Sequence, residues 1–210
     1  MQNEQEQYWA GKNGDEYQDR NKAAHVGSVK ANIHLFQHVM RCIPPFEIET
    51  IIEFGAGIGN NLRAWRHILP LAKLSAVEIN EKAAAQIPKD VAVHVGTFLK
   101  ELPPGPPPGQ YDMTMTKGAL IHVPPEGLAI AYDNLYRLTR KYILICEYFS
   151  PSPRTIPYRD RMDILYSRDF AGELLDKYPD LKLLGYEFVW HRDEQPQDDI
   201  TAFLLEKVQP

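Results

Sequence analysis

Three glycines alternate in Ile51–Asn61, IIEFGAGIGNN, at Gly55, Gly57 and Gly59, and an acid, Glu53, stands two residues before the first. Glycine lets a chain turn sharply and lets backbone approach a bound molecule with no Cβ between them. An apolar run, an acid, this turn and then Asn60 and Asn61 read as a buried strand, a tight turn and a helix start. That arrangement meets the cofactor in Rossmann-like sheets. Dinucleotide-binding chains favour G-x-G-x-x-G, yet Asn60 stands where the third glycine would fall. Glu53 would also face a doubly charged pyrophosphate, and like charges repel. S-adenosylmethionine carries an ammonium and a sulfonium and no phosphate, so the acid suits it better. A dinucleotide, or a strand turn without a ligand, are the other readings.

A second acid, Glu78, ends the apolar run LSAVEI about 20 residues beyond the turn, where a carboxylate accepts from both hydroxyls of a ribose. His122, in KGALIHVPP, is the candidate general base for an acceptor that must lose a proton, because imidazole titrates near neutrality. Its competing role is packing against the cofactor or a loop. In the N-terminal stretch, Tyr8, Trp9, Tyr17, Arg20 and Asn21 would form a lid whose aromatic faces attract a cation and exclude water. The plainer alternative is that Tyr8 and Trp9 only pack this arm on the core. Tyr148, Arg154, Tyr158, Arg159 and Arg161 are suited to hold a carboxylate or phosphate, since guanidinium matches planar anions. Routine surface ion pairs would use the same residues. His191 and Arg192 read as surface, and no cluster of His, Cys, Asp or Glu has metal-ligand spacing.

The elements that must position these residues follow from periodicity. Residues 1–25 form a helical or irregular arm. Helices are expected over Ala31–Arg41 (closed by Pro44 and Pro45), 61–68, Glu81–Ala85, Gly127–Leu138 and Ser167–Lys177. Strands are expected over Thr50–Phe54, Lys73–Ile79, Val91–Val95, Asp112–Thr116, Tyr142–Glu147, Leu181–Trp190 and Asp199–Lys207. Pro103–Pro108, PPGPPP, is a stiff extended loop. Alternating strands and helices imply a parallel α/β sheet. Its ligands bind beyond the carboxyl ends of the strands, which places Glu53, Glu78, Gly96, Thr116 and Glu147 at the site. The expected organisation is an arm over 1–45 and one α/β domain over 46–210.

At 210 residues and a net charge of −5, the chain has room for one sizeable core and no basic stripe for duplex nucleic acid. It has no apolar run of membrane-spanning length, and its polar, acidic start is unlike a signal peptide. Its two cysteines, Cys42 and Cys146, read as packing residues in a reducing cytoplasm.

The glycine turn, Glu78 and the seven-strand pattern together resemble class I S-adenosylmethionine-dependent methyltransferases over roughly residues 45–207. The segments EQEQYWAGKNGDEYQDRN, MTKGALIHVPPEGL, CEYFSPSPRTIPYRDRMD and RDFAGELLDKYPDL are similar to the pseudaminic acid biosynthesis-associated methylases. The resemblance implies a Rossmann-like, seven-stranded, mostly parallel sheet with its last strand antiparallel and helices on both faces. It implies that Glu53, Gly55, Ala56 and Gly57 meet the methionine end of the cofactor, and that Asn60 also contacts the cofactor. Glu78 would take the ribose and Ile79 the adenine face. Gly96, Thr97 and Phe98 would lie at the adenine edge, although Thr97 stands where many relatives have aspartate. Thr116, Lys117 and Gly118 would face the sulfonium side, and Trp9 would cover the cofactor. The implied activity is methyl transfer to oxygen or nitrogen of a small, sugar-derived acceptor, with S-adenosylhomocysteine as product. Tyr148, Arg154, Tyr158 and Arg161 would bind that acceptor, and neither nucleic acid nor membrane is a partner. Rival functions are an NAD-dependent oxidoreductase, a non-catalytic cofactor-binding protein, and a methyltransferase for another metabolite or a protein side chain.

Overall fold

The computed structural model describes residues 3–208 except 24, 45, 46, 101, 103–108, 160 and 163, with positions 21 and 23 described by backbone alone. The expected Pro103–Pro108 loop, Pro45 and the side chain of Asn21 therefore lie outside the described residues.

Five parallel strands come first: β1 (Thr50–Phe54), β2 (Lys73–Glu78), β3 (Ala92–Val95), β4 (Tyr111–Lys117) and β5 (Thr139–Glu147). A two-stranded ribbon of β6 (Arg154–Thr155) and β7 (Tyr166–Ser167) follows. The last strands of the main sheet are β8 (Leu181–Val189) and β9 (Ile200–Lys207). The sheet order is β3-β2-β1-β4-β5-β9-β8, and β9 is antiparallel to both neighbours. The chain thus reverses direction of winding between β1 and β4, the point at which a parallel sheet opens a crevice at its carboxyl end. The seven-stranded sheet expected from the sequence is the one observed.

The helices are α1 (Glu4–Ala10), α2 (Lys12–Ala23), α3 (His25–Val39), α4 (Asn60–Ile68), α5 (Glu81–Ala84), α6 (Pro125–Leu138) and α7 (Phe170–Lys177). β1 and β4 are buried on both faces because both faces are covered, the Thr114 hydroxyl of β4 being satisfied by Leu135 O and Thr139. On one face Leu35 and Phe36 of α3 and Leu62 and Trp65 of α4 pack on Met113, Met115, Leu144 and Leu204. Phe36 stacks on Trp65 at 4.5 Å. On the other, Leu128 and Leu135 of α6 and Phe170 and Leu174 of α7 pack on Phe54, Ile143 and Ile145.

Three expectations change. The helix expected from Ala31 begins at His25, because its first turns carry no apolar period: Val26 is exposed, and His25 lies against Asn60 Oδ1 at 2.6 Å. The helix expected from Ser167 begins at Phe170, since Ser167 pairs in the ribbon and Asp169 caps the first turn through Gly172 N at 2.8 Å. Cys146 is buried as expected, but Cys42 is exposed. Among the described residues no helix is long and apolar enough to cross a membrane.

Candidate active site

All three glycines of the turn have positive φ: +73° at Gly55, +55° at Gly57 and +81° at Gly59. A Cβ on Gly55 would sit 2.7 Å from the Cβ of Ala119, so the turn needs glycine for both conformation and space. α4 begins at once after it, and its second residue, Asn61, reaches back to Glu53: Nδ2 donates to Oε1 at 2.5 Å. Asn32 Nδ2 in turn donates to Asn61 Oδ1 at 2.7 Å, fixing the amide's direction. Glu53 is 0% exposed, and its other oxygen, Oε2, has no hydrogen-bond partner among the described residues. Burial pushes its pKa up to about 8, against the opposing bond from Asn61.

Glu78 closes β2 and is tied to the same turn. Its Oε2 accepts Gly57 N–H at 2.6 Å and its Oε1 accepts Asn80 N–H at 2.8 Å. Burial raises its pKa while those N–H groups oppose the rise. Beside it a cavity of about 1100 Å³ opens at the carboxyl end of the sheet. Gly55, Ala56, Gly57, Asn60 and Glu78 line it on one side, and Ile79, Thr97 and Phe98 on another. Phe98 stacks on Phe54 at 5.4 Å, and the Thr97 hydroxyl is engaged locally, accepting Leu99 N–H at 3.0 Å. Lys117, Gly118, His122, Tyr148, Tyr158, Trp9, Tyr17 and Arg20 complete the predicted residues that line the cavity. Glu53 and Thr116, both fully buried, lie outside that lining, as does Gly96, whose N–H donates to Glu78 O at 2.9 Å.

Arg154 and Arg161 are not brought to the cavity. Arg154 lies exposed on the β6–β7 ribbon, and Arg161 faces Glu4 of the arm at 3.5 Å. Arg159 faces Glu16 at 3.7 Å. The ribbon turns this loop toward the arm, so its arginines meet acids of α1 and α2. Lys117 is the cation that reaches the cavity from a strand end; burial lowers its pKa, with Cys146, Glu53, Glu147 and Asp198 opposing.

His122 ends a short turn, Leu120–His122, held by Glu147 at the end of β5. One oxygen of Glu147 accepts Ala119 N–H at 3.1 Å and Leu120 N–H at 3.2 Å, and the other accepts Ile121 N–H at 3.3 Å. Burial raises the Glu147 pKa to about 7, which these donors oppose. His122 Nδ1 lies 2.8 Å from Ile164 O, and a carbonyl only accepts, so Nδ1 carries the proton and Nε2 is the basic nitrogen. Burial pulls the ring's pKa down to about 4, leaving it neutral at pH 7.

The roof is the arm. Trp9 lies 4.2 Å from the His122 ring, 5.5 Å from Tyr17 and 6.5 Å from Tyr158. Asn80, next to Glu78, donates through Nδ2 to Trp9 O at 3.2 Å and to Asp15 Oδ1 at 2.9 Å, and Asp15 also pairs with Lys82. A Cβ on Gly14 would collide with Trp9 O and Asn80 Nδ2, so the close seat of α2 on this corner depends on that glycine. Among the lining residues that carried no sequence signal are Gln5, Glu6 and Gln18, polar and buried on the arm. Among the described residues no group of three or more His, Cys, Asp or Glu is placed to hold a metal ion.

No family model and no curated protein matches the chain. Solved structures do. A chain of the complex between the Haloferax volcanii Trm112 methyltransferase activator and a methyltransferase superposes with TM-score 0.68 at 14% identity, covering 93% of this chain and 96% of that one. The Burkholderia thailandensis 1,6-didemethyltoxoflavin-N1-methyltransferase, solved with 1,6-didemethyltoxoflavin and S-adenosylhomocysteine, gives 0.62 at 16% identity over 87% and 79%. The plantazolicin methyltransferase BpumL, solved with S-adenosylhomocysteine, gives 0.63 at 12% identity over 98% and 94%. The chain therefore has the Rossmann-like fold of class I methyltransferases.

Proposed function

We propose that the chain is an S-adenosylmethionine-dependent methyltransferase. The observation that carries this is the fully buried, unpartnered Oε2 of Glu53 beneath a turn of three positive-φ glycines. A buried acid pushed to the edge of ionisation is stabilised by a cation and repelled by a pyrophosphate. The fold supports the same reading. S-adenosylmethionine, when bound, supplies a methyl carbon activated by a positive sulfur.

The chain's residues then hold, orient and cover. The Gly55–Gly57 turn, with Glu53 buried beneath it, takes the methionine end, Glu78 the ribose, and Ile79, Thr97 and Phe98 the adenine. Trp9, Tyr17 and Tyr158 keep water from the reacting centre and offer aromatic faces to positive charge. His122 Nε2 is placed to accept a proton from the acceptor's oxygen or nitrogen, with Nδ1 locked on Ile164 O. The main contribution is alignment of acceptor and methyl. The acceptor we favour is a small sugar-derived molecule of the nonulosonic-acid pathways. The resemblance of the segments around Trp9, His122 and Tyr158 supports it, and Lys117 takes the anion-holding role first given to Arg154 and Arg161. The unpaired Cys42 and Cys146 support a reducing, cytoplasmic setting.

The test is calorimetric titration with S-adenosylmethionine, S-adenosylhomocysteine and NAD. Micromolar binding of both adenosyl compounds with NAD silent is the expected result, and binding of NAD alone overturns it. Turnover is then assayed against sugar acids, other small metabolites and protein. Binding without turnover in every assay makes the chain a cofactor-binding protein.

A further inference from the structure

The arm carries unsatisfied polar atoms as well as aromatic cover. Among the described residues, Glu6 Oε1, Trp9 Nε1 and Gln18 Oε1 are buried with no hydrogen-bond partner, and all three residues line the cavity. Buried polar atoms in native proteins are nearly always paired, so such a group on a cavity wall is matched to something that enters the cavity. Gln18 is the best defined. It is 6% exposed, and its amide atoms lie 3.3 and 3.4 Å from the position a Cβ on Gly57 would occupy. It therefore sits over the turn whose Gly57 N–H is held by Glu78.

Its placement is built in. Asp15 and Gln18, three residues apart, share a face of α2. Asp15 is pinned to Asn80 and Lys82, next to Glu78. The anchor that seats α2 therefore sets Gln18 above the turn.

We propose that Gln18 is a cofactor-binding residue, its amide oxygen accepting from a hydroxyl or ammonium of the adenosyl ligand while Glu78 meets the same ligand from the cavity wall. This rests on the methyltransferase reading. It makes the arm one wall of the cofactor site, so that docking of the arm and binding of the cofactor are coupled.

The experiment is calorimetry with S-adenosylhomocysteine on the whole chain, wild type against Gln18→Met and Gln18→Glu, with ligand-free melting measured for each. Gln18→Met removes the acceptor at similar volume and is expected to weaken binding about tenfold, with ligand-free melting unchanged. Gln18→Glu keeps an acceptor and is expected to bind within about threefold of wild type. Wild-type binding with both variants unaffected, or both weakened equally, overturns the role of Gln18 alone. A wild type that does not bind S-adenosylhomocysteine overturns this inference and the methyltransferase reading together.

Discussion

The carboxylate of Glu78 accepts the backbone N–H of Gly57 at 2.6 Å, so the acid that ends β2 is also a strut of the glycine turn that follows β1. Replacing it touches both. Glu78→Gln presents an NH₂ where either Gly57 or Asn80 offers an N–H, and it removes the charge. Binding of S-adenosylhomocysteine should weaken by about 1–3 kcal/mol, the scale of a hydrogen bond to a charged group. Ligand-free melting should fall as well. Calorimetry and thermal denaturation read the two effects separately, and unchanged affinity would remove Glu78 from the site.

Glu53 predicts a proton balance. Its pKa is raised from 4.5 to about 8, so between those values the folded chain holds a proton that the unfolded chain gives up. Its contribution to stability therefore falls as pH rises through that window. A bound ammonium favours the ionised form, so binding at pH 7 should release up to about one proton. Titrations in buffers of different ionisation enthalpy measure this. Glu53→Gln should abolish the release; a release that survives that change belongs to another group.

His122 gives the opposite slope. Its pKa falls from 6.5 to about 4, so between those values the unfolded chain binds a proton that the folded chain refuses, and stability is lost as pH drops. The ring is neutral across pH 6–8, and the rate should show no histidine limb there. His122→Ala should lower kcat by about 10²-fold or more with S-adenosylhomocysteine affinity unchanged. An unaltered kcat would assign the ring to packing beneath Trp9.

Asp15 holds the arm to Asn80 and Lys82. Asp15→Ala should make the arm several-fold easier to cleave by a protease, since few other bonds hold it at that corner. S-adenosylhomocysteine should slow cleavage of the wild type. Equal cleavage of the two chains would show that the aromatic contacts alone seat the arm.

The glycine turn and both acids were legible because strand ends and φ > 0 leave local marks in sequence, and the sheet because its strands are short apolar runs bounded by turns. What escaped is long-range. Nothing near Arg154 or Arg161 announces that β6 and β7 pair and carry the loop to the acids of the arm. Nothing in the polar arm marks Gln18 as buried, because its environment is supplied by Gly57, far along the chain. Glu147 was placed at the site by its strand end, but its work as a cap for residues 119–121 follows only from a turn whose shape the sequence does not spell.

The insertion of β9 between β5 and β8 has a bearing on biosynthesis. A chain emerging from the ribosome completes five parallel strands long before residue 200, yet β8 has no strand beside it until β9 follows. Until β9 docks, the edges of β5 and β8 are bare, with the exposed Tyr186 and Phe188 on β8. Open edges with aromatic side chains are where chains join one another. Half of the sheet's closure thus waits for its last strand, and the state in which β9 has not yet docked is the one most open to association with other chains.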